Sequence, residues 1–138
     1  MGTLRDLLAY KKAFALAMGI FELTKSFPKE ETYSLTDQIR RCSRSVNANL
    51  AEAYRKRRYP NHFISKLSDA DTENGETQTW LEFALACQYI SEEEYASLFN
   101  QSEEVAKLLS YMMNNPEKFL LKIPILKTES SNVKLPPA

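Results

Sequence analysis

Between Leu35 and Tyr59 the chain reads LTDQIRRCSRSVNANLAEAYRKRRY, and its apolar residues Leu35, Ile39, Cys42, Val46, Leu50 and Ala53 recur at spacings of four or three. A helix turns about 100° per residue, so that spacing gathers all six into one narrow stripe. A single-striped helix of this length must bury the stripe against other helices, which makes a helical bundle the natural destination. The same stretch holds Arg40, Arg41, Arg44, Arg55, Lys56, Arg57 and Arg58 against only Asp37 and Glu52, and it places Ser45, Asn47 and Asn49 in mid-helix despite their poor helix propensity.

The flanking sequence supplies the partners. A first helix is expected over about residues 4–25, with Leu7, Tyr10, Phe14, Ala17 and Phe21 in one stripe and Leu8, Leu16, Ile20 and Leu23 widening it. A helix apolar on nearly every side needs neighbours on opposite sides, and either a larger core contact or a subunit interface would provide them. Phe27-Pro28 ends this helix, because proline pushes the preceding residue out of the helical region. The second helix is expected over 34–58, opened by a Ser34 and Asp37 pair resembling a capping box. Tyr59-Pro60 leaves room only for a tight turn, so a third helix over 61–89 folds back beside it, with Phe63, Leu67, Ala70, Thr77, Leu81 and Ala84 as its stripe. Ser91 with Glu92, Glu93 and Glu94 starts a fourth over 92–114, whose stripe is Tyr95, Leu98, Ser102, Val105, Leu109 and Met112. The fold class read from this pattern is all-α: an antiparallel up-down-up-down four-helix bundle over 1–115, followed by an extended or disordered tail over 116–138.

Glycine is scarce and the 138 residues suit one domain. The formal charge is zero but unevenly spread. Asp69, Asp71, Glu73, Glu76 and Glu82 face one Lys66 in the third helix, and Glu92, Glu93, Glu94, Glu103 and Glu104 outweigh Lys107 in the fourth. The basic second helix either neutralises these neighbours or offers a surface to a polyanion. Cys42 and Cys87 sit at apolar helical positions without any CxxC spacing, as expected of two buried thiols in a reducing compartment. The longest apolar run, Ala13 to Phe21, is far short of the roughly 20 residues that span a bilayer, and charges interrupt the N-terminus. A cytoplasmic protein with no membrane contact is expected.

Carboxylates at matching heights in a bundle raise the question of a di-metal site, which needs Glu-x-x-His pairs. The one histidine, His62, has no glutamate three residues before it, so no metal and no cofactor is expected. A nucleophile with a histidine partner and a glycine-rich phosphate loop are also missing, and the chain reads as non-enzymatic. Two regions remain as candidate sites. Tyr54, Arg55, Lys56, Arg57, Arg58 and Tyr59 pack four cations between two aromatics at a helix end, where they either complement the helix dipole or bind nucleic-acid phosphates. Ser45, Asn49 and Glu52 stand at the height of Glu73, Asn74, Glu76 and Thr77, with Arg41 or Arg44 in reach of Glu76. That polar mid-bundle layer either fixes helix register or holds a small ligand.

These residues also carry a family resemblance, over about Leu7 to Met113. Phe27-Pro28 with Glu31 and Tyr33, Gln38-Ile39-Arg40-Arg41, Ser45-Val46, Asn49-Leu50-Ala51-Glu52, Glu76-Thr77 and Trp80-Leu81 resemble the bacterial four helix bundle protein family, also named for the protein encoded in intervening sequences of large-subunit ribosomal RNA. Where the family usually has glycine after the Ala-Glu pair, this chain has Ala53. The resemblance implies an up-down-up-down bundle, a ring-like pentamer as homo-oligomer, and kinship with the accessory protein of diversity-generating retroelements, a basic pentamer associated with nucleic acid and a reverse transcriptase. The reading that follows is an oligomeric binding or scaffolding module that touches structured RNA or other nucleic acid through the second helix. The alternative is a protein-binding adaptor with no nucleic-acid contact.

Overall fold

The computed structural model describes residues 2–122, and the tail expected beyond them lies outside the described residues. Four helices carry the fold: α1 (Leu8–Thr24), α2 (Leu35–Arg55), α3 (Pro60–Ala86) and α4 (Glu92–Asn114). No strand occurs among the described residues. Each helix packs on its neighbours in the chain and α1 also packs on α4, which closes a four-helix bundle, with the α2–α3 seam the most extensive. Along that seam Glu52 meets Lys66 and Cys42 meets Thr77, so residue numbers fall on one helix as they rise on the other.

The α2 stripe is buried throughout, from Leu35 to Ala53, and Val46 and Leu50 are among the most enclosed side chains of the protein. Phe63, Leu67 and Leu81 of α3 and Val105, Leu109 and Met112 of α4 meet them in one continuous core. Emptying any one of the large positions leaves a cavity as well as losing transfer energy, about 2–5 kcal/mol for a leucine cut to alanine.

Several local expectations are corrected. The first helix begins at Leu8, because Leu4–Asp6 forms a separate 3-10 turn and Leu7 is extended, with ψ 128°. Its core face is Ala9, Ala13, Leu16, Ala17 and Ile20, whereas Phe14 is half exposed and Tyr10 and Phe21 flank the seam with α2. Alanines let the backbones approach closely, so the bulky rings are turned outward. α2 ends at Arg55 and α3 at Ala86, each about three residues early. Beyond α3, Gln88 takes a positive φ of 63°, which reverses the chain and leaves Cys87 exposed rather than buried.

The start of α2 is secured differently from the expected Ser34 and Asp37 pair. A 3-10 turn at Lys29–Glu31 brings the Glu31 carboxylate over the helix start, where it accepts from the Ser34 hydroxyl at 2.6 Å and the Leu35 N–H at 3.2 Å. An ionised carboxylate is a stronger acceptor than the Ser34 hydroxyl and takes over the cap. α4 does begin with a complete capping box, in which the Ser91 hydroxyl accepts from Glu94 N–H and the Glu94 carboxylate accepts from Ser91 N–H.

Candidate nucleic-acid interface

Proline has no N–H to lose at the first position of a helix, so Pro60 opens α3 and the preceding residues must turn. Lys56 leaves the helical region with φ −98° and ψ 16°, and Tyr59 N–H donates to the Lys56 carbonyl at 2.8 Å. Lys56, Arg57, Arg58 and Tyr59 are therefore a corner between helices rather than the last turn of α2. Most of the cationic run departs from the helix axis.

The corner divides its residues by role. Arg57 lies with its guanidinium 3.5 Å from the centre of the Tyr54 ring and donates from Nε to the Tyr54 carbonyl at 2.8 Å. The Tyr54 hydroxyl donates to the Gly2 carbonyl at 2.7 Å, and the Arg57 carbonyl accepts from Leu121 N–H at 3.2 Å. Tyr54 and Arg57 thus tie both ends of the described chain to the corner, and the Tyr54 ring face covered by Arg57 is closed to a stacking base. Arg55, Lys56 and Arg58 are exposed, and none of the three is ion-paired among the described residues. Tyr59 is 52% exposed, with its ring edge-on to His62 at 6.0 Å.

An open groove runs beside the corner, lined by Thr3, Leu4, Arg5, Ala51, Glu52, Tyr54, Arg55, Arg57 and Leu121. It adds Arg5, which the sequence pattern did not point to. No local signal marks Arg5, since only the fold-back of the 3-10 turn against α2 brings it there. Lys118 and Lys122 flank the other side of Arg57 in a second hollow with Glu117, Leu120 and Leu121. Phe119 and Leu120 pack against the core at this end, continuing the bundle past the expected boundary at residue 115.

The expected polar mid-bundle layer is rearranged. Asn74 is buried on the core face of α3 and turns to α4: its amide N–H donates to the Ser102 carbonyl and its oxygen accepts from the Ser102 hydroxyl, both at 2.9 Å. Gln78 extends the chain of bonds to Ser102 Oγ and the Glu103 carboxylate. On the α2 side Asn49 donates to the Ser45 carbonyl of its own helix, and Glu52 pairs with Lys66 at 2.7 Å. Glu76 accepts from Trp80 Nε1. Arg41 lies 4.0 Å from Asp37, and Arg44 sits over the Phe21 ring, so neither reaches Glu76. Opposite-height residues on α2 and α3 therefore do not form one layer; side-chain direction around each helix decides the partner.

Chemical reactivity is muted here. Burial pushes the Cys42 thiol up to about 11, partly offset by the Thr77 hydroxyl 3.2 Å away, so the thiol stays protonated. Burial, followed by the neighbouring Glu76 and Asp69, raises Glu73 above its ordinary range. Among the described residues no group of three His, Cys, Asp or Glu side chains is placed to hold a metal ion, and no helix is long and apolar enough to cross a membrane.

Residues 5–111 match the family model described as 23S rRNA-intervening sequence protein. The chain belongs to this family. A solved structure of a protein with unknown function from the S23 ribosomal protein family of Bacteroides thetaiotaomicron is similar at a TM-score of 0.72 and 33% identity. The similarity covers 80% of this chain and 98% of that one. No curated protein matches the chain. The match to the 23S rRNA-intervening sequence protein family includes all four helices to within a few residues of the end of α4, the groove residue Arg5 and the whole α2 corner.

Proposed function

We infer that this 23S rRNA-intervening sequence protein is a non-enzymatic, cytoplasmic, homo-oligomeric module that binds structured RNA or other nucleic acid at the α2–α3 corner. The observation carrying this reading is the set of exposed cations, Arg55, Lys56 and Arg58, without carboxylate partners among the described residues. A chain of zero net charge has enough carboxylates to neutralise every cation, yet these remain available to a phosphate backbone. Arg5, Lys118 and Lys122 extend the same field. Oligomerisation is supported by the exposed Leu8, Phe14 and Met18 of α1, whose apolar surface a second copy would cover. The pentameric ring implied by the family resemblance would repeat the corner around an axis.

The test is fluorescence anisotropy of a labelled RNA stem-loop titrated with the full chain between about 50 and 200 mM salt. Wild type is expected to bind with a steep salt dependence. Arg55→Ala with Lys56→Ala and Arg58→Ala should flatten the slope of log K against log salt by roughly 2 to 3, at about 0.9 for each phosphate no longer neutralised. Binding that is undetectable at low salt, or a slope unchanged in the triple variant, overturns the assignment. The first of those results would favour the protein-binding adaptor, which the apolar α1 surface equally suits.

A further inference from the structure

We propose that the nucleic-acid interface does not stop at the corner but continues along the solvent face of α2 to a second cationic station at Arg41 and Arg44. This rests on the corner being a nucleic-acid site and specifies its partner: a strand long enough to bridge both stations. Arg41, Arg44, Ala48, Ala51 and Arg55 recur at helical spacings of three and four, so they form one line along α2. Arg41, Arg44, Ala48 and Arg55 are exposed and Ala51 is half-buried. On α2 itself only the alanines Ala48 and Ala51 stand on the line between the two stations, and Thr3, Leu4 and Arg5 line the groove beside Ala51 and Arg55.

The residues beside the line leave it cationic. Glu52, beside the line, pairs with Lys66 at 2.7 Å, and the same ammonium lies 3.7 Å from Asp69 on α3. Asp37 lies at the far end and touches Arg41 only at 4.0 Å, with the Arg41 side chain 75% exposed. Arg44 has no carboxylate partner among the described residues and rests over the Phe21 ring, 5.5 Å from its centre. Cation–π contact orients a guanidinium without using up its outward N–H donors. Arg40 is different: it is committed to the Thr24 hydroxyl and the Phe21 carbonyl, and belongs to the α1 seam.

Arg44 and Arg55 are eleven residues apart on one helix face, about 16 Å at 1.5 Å per residue. That distance corresponds to on the order of five phosphates along one strand of a duplex. A protein partner would seek an aromatic or aliphatic anchor pocket, and a floor of alanine methyls between arginines provides none. A flat floor between two charged stations suits a phosphodiester backbone laid along it.

The experiment compares two probes, a tetranucleotide and a stem-loop RNA whose stem exceeds two helical turns, on the full chain. Wild type is expected to bind the longer probe more tightly and with the steeper salt slope. Arg41→Ala with Arg44→Ala should remove that gain, lowering the long-probe slope by about 2 and leaving the tetranucleotide unaffected. Ala48→Glu, which puts an acid on the exposed floor without touching the core, should weaken the long probe about tenfold and spare the short one. If neither variant changes long-probe binding while the corner triple variant still does, the track is overturned and the corner assignment survives. If wild type binds neither probe, both fall.

Discussion

Two asparagines that look alike in the sequence have opposite weight in the fold. Asn49 bonds only within its own helix, whereas Asn74 is 1% exposed and satisfied on both its oxygen and its nitrogen by Ser102 of α4. Removing a buried partner leaves the other group unpaired at about 1–3 kcal/mol, while the half-buried Asn49 leaves only a backbone carbonyl within reach of water. Asn74→Ala is therefore expected to lower the unfolding free energy from urea melts by an amount in that range, and Asn49→Ala to leave it nearly unchanged. Equal losses in the two variants would show that Asn74 does not fix the α3–α4 register. The sequence placed polar residues at the right height but on the wrong seam. Period alone gives a residue's angle to within tens of degrees, and Asn74 lies on the core stripe, between Ala70 and Thr77, where only the packed neighbour reveals whether it turns to α2 or α4.

Helices are joined here by polar clamps as well as by the core. The Glu31 carboxylate caps α2 through Ser34 and Leu35 and accepts the Tyr89 hydroxyl at 2.8 Å, fastening the start of α2 to the chain that leaves α3. The Ser34 hydroxyl, then Tyr89, then Leu35 N–H hold Glu31 below its ordinary value of 4.5. The same bond, with Tyr89 as donor, pushes the Tyr89 phenol up to about 12. A carboxyl whose value is depressed by folding adds stability that is complete above the unfolded value and is lost as pH falls through the folded one. Comparing thermal melts of wild type and Glu31→Gln should therefore give a gap at neutral pH that narrows below about pH 4.5 and closes in stronger acid. A gap independent of pH would show that the charge of Glu31 is not what holds the clamp. The stripes of α2, α3 and α4 were legible because each is a long single-faced pattern. The α1 face was not, since nearly every side of that helix is apolar and only close alanine packing selects Ala9, Ala13 and Leu16 over the aromatics.

At the scale of the whole molecule, zero net charge conceals an axial separation. Arg5, Arg55, Lys56, Arg57, Arg58, Lys118 and Lys122 outnumber Asp6, Glu52 and Glu117 at the end where α2 turns into α3, whereas Glu22, Glu30, Glu31, Asp37, Glu82, Glu92, Glu93 and Glu94 outnumber Lys25, Lys29, Arg40 and Arg41 at the end where α4 begins. Linear sequence showed the basic run but not the contributions of Arg5 and Lys118, which come together only through the 3-10 turns that precede α1 and follow α4 at this same end of the bundle. A polyanion meets the local field and not the total, so a neutral chain can still bind one, though weakly from a single corner. Linking several weak contacts in one oligomer multiplies their effect without any new interaction. If α1 supplies the subunit contact, Leu8→Glu with Met18→Glu, both at exposed positions, should reduce the mass seen by light scattering to the 15.9 kDa of one chain and leave the helical circular dichroism intact. RNA affinity should fall by at least about tenfold in that variant although every arginine remains. Wild type already running as a single chain at micromolar concentration would defeat the oligomer, and a dissociated variant with undiminished affinity would mean that one corner suffices.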